Sequence, residues 1–273
     1  MTKIAVLGPE GTFTDEAARR QFGKGEFKYY DSVTLVFEAV NSGACGQGVV
    51  PIENSTDGSV GETIECLKNY DLRITGEIYH QIRHVLAGTG SIGDVKTVMT
   101  HHKVIGQCRS KIAKLLKSPE IVTKSPSGSD LSTAGAIEIV AGAKDLSVAA
   151  IGSKSAAEKY GLKILAPDLS DMEDNETRFF VISKAEAMRT GKDKTSIIVA
   201  VKDEAGALYN LLGVFSKANI NLTKIESRPS KDRKWEYMFL IDFEGHKDDV
   251  EDVLTQVKDS TTYYKLLGSY PRG

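Results

Sequence analysis

The sequence predicts an α/β protein built as two units, and three observations carry that reading. From the start to about residue 183, short apolar strands alternate with amphipathic helices. Near Leu72–Gly88 the alternation breaks, and two extended runs follow each other with no helix between them. Beyond a charged stretch the order changes to β-α-β-β-α-β.

The first unit is read from strands Ile4–Leu7, Phe27–Tyr30, Gly48–Ile52, Val95–Thr100, Ile121–Thr123, Ser147–Ile151 and Phe179–Ile182. Between them, Val33, Val36, Phe37 and Val40 fall at the i, i+3, i+4, i+7 spacing of a helix face, and Cys108, Ile112 and Leu115 repeat it. Such alternation predicts a mainly parallel sheet with helices on both faces. The break, made of Leu72–Tyr79 and His84–Ala87, suits a chain crossing from one lobe to another. Two lobes joined by crossovers leave a cleft, where ligands commonly bind.

Lys184–Lys194 is charged and aperiodic, which places a domain at residues 1–184, a linker at 185–194 and a second domain at 195–273. The second domain reads as strand Ser196–Val201, helix Ala205–Lys217, strands Leu222–Ser227 and Glu236–Phe243, helix Lys247–Lys258 and strand Tyr263–Leu267. That order is a ferredoxin-like split unit.

Composition excludes several classes. With 35 basic and 37 acidic residues the formal charge is −2, so nothing argues for nucleic-acid binding. No apolar run approaches membrane-spanning length, and the opening Lys3–Gly8 lacks the features of a signal peptide. Cys45, Cys66 and Cys108 are widely spaced and odd in number, which fits a reducing cytosol. Neither they nor the five histidines show metal-ligand spacing. The chain reads as cytoplasmic, with no metal and no cofactor.

Four segments carry candidate chemistry. In Gly48-Val49-Val50-Pro51-Ile52-Glu53-Asn54-Ser55 an apolar strand ends at a proline and then presents a carboxylate, an amide and a hydroxyl. Polar groups at a strand tip face the crevice of an α/β sheet, or cap a turn. Gly8-Pro9-Glu10-Gly11-Thr12-Phe13-Thr14 opens a helix: an anion seat, or a tight turn with a threonine cap. Asp174-Asn175-Glu176-Thr177-Arg178-Phe179-Phe180 offers a hydroxyl and a cation; Arg178 either grips a carboxylate or sits in a structural ion pair. Glu226-Ser227-Arg228-Pro229 ends a strand of the second domain, opposite Gly206-Ala207-Leu208: a seat where helix amides suit an amino-acid carboxylate, or a hairpin loop with a proline stop.

Together these segments resemble prephenate dehydratase fused to an ACT regulatory domain, the monofunctional type. The resemblance runs over nearly the whole chain. It implies a catalytic domain of two lobes, like type II periplasmic binding proteins, and an ACT domain that binds L-phenylalanine as feedback inhibitor. By motif position Thr177 is the catalytic hydroxyl, with Asn54, Ser55 and Gln107 in the same cleft. Gly8, Pro9, Gly11, Thr12, Thr100, Arg178 and Phe179 are expected at the substrate. Gly206, Ala207, Leu208, Asn219, Asn221, Glu226, Ser227, Arg228 and Pro229 are expected around the effector at a subunit interface of a homodimer or homotetramer. The family's Ser-His-Pro-Gln is here Thr100-His101-His102-Lys103, where Lys103 either strengthens anion binding or faces solvent.

The activity so implied is decarboxylative dehydration of prephenate to phenylpyruvate, in phenylalanine biosynthesis. Two alternatives stand beside it: arogenate dehydration on the same scaffold, and a non-catalytic amino-acid sensor. The hydroxyl-and-amide set of Thr177, Asn54 and Ser55 weighs against a sensor.

Overall fold

A computed structural model describes residues 2–172, 174–229 and 237–273. Glu236, where a strand was expected to begin, lies outside them. The first lobe holds β1 (Lys3–Leu7), α1 (Phe13–Phe22), β2 (Glu26–Tyr30), α2 (Val33–Asn41), β3 (Gln47–Asn54), the short β4 (Gly58–Ser59), α3 (Gly61–Asn69) and β5 (Arg73–Gln81). The second holds β6 (Val85–Gly88), β7 (Thr97–Met99), α4 (His102–Leu115), β8 (Glu120–Val122), α5 (Thr133–Ala143), β9 (Val148–Gly152), α6 (Lys154–Lys159) and β10 (Lys163–Ala166). β11 (Glu176–Ser183) returns to the first lobe.

Helix starts are set by side chains that accept otherwise orphaned backbone N–H groups. Thr12 caps α1, Ser32 caps α2, Ser132 caps α5 and Ser153 caps α6, each accepting from the residue three further on.

The first sheet has the order β2-β1-β3-β11-β5, with β4 on β3; the second has the order β10-β6-β9-β7-β8. Both are mixed, which corrects the mainly parallel expectation. β1, β2 and β3 run parallel, as do β7, β8 and β9, but β11 is antiparallel to β3 and β5, and β6 to β9 and β10. The antiparallel strands flank the crossovers between lobes, so they enter their sheets from the opposite end. Helices cover both faces of each sheet, as expected. The crossovers are tied together: Ile82 N–H donates to Asn175 O at 2.7 Å and Leu169 N–H to His84 O at 2.8 Å. The chain thus passes twice between two lobes, as the break in its alternation predicted.

The C-terminal unit is β12 (Asp193–Ala200), α7 (Ala207–Lys217), β13 (Leu222–Pro229), β14 (Tyr237–Glu244), α8 (Glu251–Asp259) and β15 (Tyr263–Pro271). Its antiparallel sheet has the order β13-β14-β12-β15. β12 begins at Asp193, two residues inside the stretch read as linker, and Lys194 is buried. Ile197 and Val199 pack beneath α7 and α8 with Leu211, Phe215 and Val257. Ile198 and Ala200, on the other face, share a core with Val50, Ile52, Leu67 and Phe180 of the first lobe. The two domains therefore dock through a common apolar layer. Among the described residues no helix is long and apolar enough to cross a membrane, and no group of His, Cys, Asp or Glu is placed to hold a metal ion.

Candidate active site

A cleft opens between the lobes. The first lobe lines it with Gly8, Thr12, Phe13, Pro51, Asn54, Asp57, Thr177 and Phe179; the second, with His84, His101, Lys103, Gln107, Ser132 and Thr133. Asn54 and Thr177 meet because β3 and β11 pair antiparallel in a register that sets them opposite each other. Such cross-strand neighbours stand close enough for side chains to bond.

The polarity of the network in the cleft follows from its fixed donors. Asn54 Oδ1 accepts from Thr56 N, Thr56 Oγ1 and Asp57 N, so its amide nitrogen must face the other way. Asn54 Nδ2 then donates to Thr177 Oγ1 at 2.9 Å and to Asn175 Oδ1 at 2.7 Å. Asn175 Nδ2 donates to Gln107 Oε1 at 2.9 Å, and Gln107 Nε2 to Asp57 Oδ2 at 2.8 Å. Gln107 Oε1 is thus an acceptor, and His84 Nε2, 2.9 Å away, is its donor. The chain leaves the Thr177 hydroxyl proton uncommitted within it.

His84 is buried beside the edge-on ring of Phe13, and its Nδ1 has no partner among the described residues. Burial pushes its imidazole below the ordinary value, against the opposing effects of Gln107 and Asp57. His101 is pushed down too, first by burial and then by His102 and Lys103; its Nδ1 accepts from Lys103 N and caps α4. The N-termini of α1, α4 and α5 all reach this cleft, and Lys103 lines it. Amide dipoles and one ammonium make it suited to anions. Cys108 lies on the buried face of α4, its thiol pushed up to about 12 by burial, then by Asp171.

Not every expected residue is here. Arg178 follows Thr177 on a strand whose side chains alternate faces, so it points away from the cleft and into the domain interface. There its guanidinium meets Asp242 at 2.6 Å, Glu77 at 2.7 Å and Tyr270 Oη at 3.1 Å. The expectation of Arg178 at the substrate is corrected to a buried ion pair. Ser55 does not line the cleft; its hydroxyl donates to Asp174 O and accepts from Glu176 N, fastening the two strand ends. Thr100 is buried and donates to Ile151 O at 3.2 Å. Pro9 follows a cis peptide bond outside the lining residues. Gly11 lies against α6, where at φ +90° a side chain would press on Ala156. Its carbonyl accepts from Ser153 of the second lobe at 2.6 Å.

The expected effector residues are likewise dispersed. Gly206, Ala207 and Leu208 start α7 and Asn219 and Asn221 follow its end, with Asn219 left-handed at φ +54°. A helix of 11 residues holds those groups about 16 Å apart. On β13, Ser227 and Pro229 are exposed, whereas Glu226 and Arg228 face inward. Glu226 bonds the Ser59 hydroxyl and pairs with Lys224 at 3.1 Å and Arg228 at 3.0 Å. Burial alone would raise the Glu226 carboxyl; Ser59, Lys224 and Arg228 hold it below its ordinary range. Among the described residues, one chain does not bring these groups around a single pocket.

Sequence reasoning missed His84, Asp57, Asn175, Ser132 and Thr133 as cleft or network groups. Ser132-Thr133 ahead of an alanine-rich helix was a legible capping signal. His84 carried none, since a histidine within an apolar run reads as packing.

A family model described as prephenate dehydratase matches residues 4–187, and one described as ACT domain matches residues 195–259. A prephenate dehydratase of Methanocaldococcus jannaschii is 41% identical, covering 96% of each chain. A bifunctional chorismate mutase/prephenate dehydratase of Aquifex aeolicus is 43% identical over 99% of this chain and 74% of its own. Among solved structures, the prephenate dehydratase of Arthrobacter aurescens in complex with L-Phe superposes with a TM-score of 0.89 at 33% identity, covering 99% and 90% of the two chains. GqqA, a quorum-quenching acylase, gives 0.87 at 28% identity, covering 99% and 98%. The polar cleft therefore belongs to an enzyme of the prephenate dehydratase family, which eliminates water and carbon dioxide from prephenate and carries an ACT domain behind its catalytic lobes.

Proposed function

We propose that the Thr177 hydroxyl assists departure of the ring hydroxyl of prephenate, within a catalytic domain of residues 1–184. The observation that carries this is the Asn54–Thr177 hydrogen bond, which fills an acceptor site on Thr177 and frees its proton for the substrate. Loss of carbon dioxide releases electrons into the ring as the C–O bond breaks, and aromatisation drives the step. The protein's task is to hold a dianion in geometry and stabilise charge on the departing oxygen. The N-termini of α4 and α5 and the Lys103 ammonium are the seats for the carboxylates.

The ACT domain, residues 195–273 after a short linker, binds L-phenylalanine as inhibitor. The Arthrobacter complex with L-Phe supports this. Dispersal of the effector residues within one chain supports a site completed by a second copy, in a cytoplasmic homodimer or homotetramer. Growth of phenylpyruvate absorbance from purified protein and prephenate tests the activity, with Thr177→Ala as control. Arogenate, run beside it, separates the two dehydratase readings. No turnover of either acid rejects the assignment.

A further inference from the structure

The strands that carry the cleft residues also carry the domain interface. On β3 and β11 the pair Asn54 and Thr177 faces the cleft, while the next pair in register, Glu53 and Arg178, faces the ACT sheet. Arg178 is bound by Asp242 of β14 and Tyr270 of β15, and Ser196 of β12 bonds both of those at 2.6 Å. Glu77 of β5 bridges Arg178 to Lys194 of β12, 2.8 Å away. Glu53 pairs with Lys224 of β13, which also pairs with Glu226, the residue bonded to Ser59 beside β3. Strands β13, β14 and β15 of the ACT sheet thus each grip a residue adjoining the Asn54–Thr177 hydrogen bond or the loop after it, and β12 reaches Arg178 through Glu77.

We propose that Arg178 and Glu53 are positioning residues through which the state of the ACT domain sets the placement of Thr177 and Asn54. The inference rests on phenylalanine acting at the ACT domain. A shift of β14 or β15 against the first lobe moves Asp242 or Tyr270. Arg178 is nearly enclosed, with 3% of its side chain exposed, and follows rather than exchanging its partners for water. Displacement of Arg178 tilts β11, and the hydroxyl one residue earlier leaves its place opposite Asn54. Charge-assisted contacts in a dry interface transmit such a shift because close-packed interfaces are not continuously deformable.

The test uses full-length Asp242→Asn, with Tyr270→Phe as a milder variant that deletes one hydroxyl. Phenylalanine binding is measured by calorimetry, and dehydratase rate is followed against phenylalanine concentration. Binding close to wild type, with a concentration for half-inhibition raised by about five-fold or more, is expected, since coupling energies of this kind span roughly that range upward. The loss should appear in inhibition, with KM and kcat in the absence of effector little changed. Variants that bind phenylalanine and are inhibited as wild type overturn the inference. So do variants that no longer bind it, because the cluster then serves the effector site directly. A wild-type protein that binds no phenylalanine sinks the effector assignment and this inference with it, and binding read separately from rate keeps those failures apart.

Discussion

Asn54 and Thr177 stand opposite each other on two antiparallel strands, and the amide of one donates to the hydroxyl of the other at 2.9 Å. Asn54 cannot turn its amide round, because its oxygen is already bonded to the backbone N–H groups of Thr56 and Asp57. The direction of the hydrogen bond is therefore built into the turn after β3. Thr177→Ala removes the donor without disturbing that turn. Turnover should fall roughly a hundred-fold or more, the usual consequence of deleting one preorganised donor. Thr177→Ser should recover much of it. Steady-state kinetics on both folded variants check this, and an alanine variant of near-normal kcat would refute the role.

Asn175 joins the lobes through hydrogen bonds alone. It accepts from Asn54, donates to Gln107 and is 1% exposed, while its carbonyl receives the N–H of Ile82. Asn175→Ala leaves the half-buried Gln107 acceptor with one donor fewer and removes one of the three acceptors that Asn54 Nδ2 reaches. A loss of about 0.5–1.5 kcal/mol of stability is expected for each hydrogen bond so removed. Chemical denaturation measures it. Because Asn54 keeps its turn contacts, kcat should fall less than in Thr177→Ala.

The acidic end of the stability profile belongs partly to Glu77. Burial alone would raise its carboxyl, but Arg178 and Lys194, with the Gly273 N–H, hold it below its ordinary value of 4.5. A carboxyl depressed in the folded state adds stability that is present above the unfolded value and lost as pH falls through the folded one. Glu77→Gln should therefore lower Tm at neutral pH. The gap between variant and wild type should close as pH drops below 4.5, where the wild-type carboxylate also takes up a proton. Thermal melts of both proteins between neutral and acid pH decide it; a gap independent of pH contradicts the assignment.

Much of this was legible in the chain. The strand–helix alternation, the break at Leu72–Gly88 and the β-α-β-β-α-β order each reflect local periodicity, and each found its counterpart. Thr177, Asn54 and Gln107 were legible through their motifs and do share one network. What local pattern could not reveal was facing. Thr177 and Arg178 are adjacent letters with opposite destinations, and only the register of β11 between β3 and β5 assigns one to the cleft. Lys194 read as linker because its charge hid a buried partner 117 residues earlier, Glu77. His84 was silent for a similar reason: its partner Gln107 arrives from α4, further along the chain.

Gly268 tests the domain interface from the backbone side. It sits on β15 at a register shift opposite Ser196, with φ +152°, and a Cβ there would run into the backbone of Ile74 on β5. No rotamer relieves that clash, because both partners are main chain and the φ value is one that side chains rarely adopt. Gly268→Ala must push β15 away from β5, loosening the layer that Tyr270 and Leu267 share with Ile74 and Phe180. A cost of about 1–3 kcal/mol is expected, typical of overpacking. The same displacement pulls Tyr270 from Arg178, so phenylalanine inhibition should weaken in parallel. Urea denaturation and inhibition curves on the variant check the two effects, and unaltered stability would show that β15 does not bear on the catalytic lobe as closely as this packing requires.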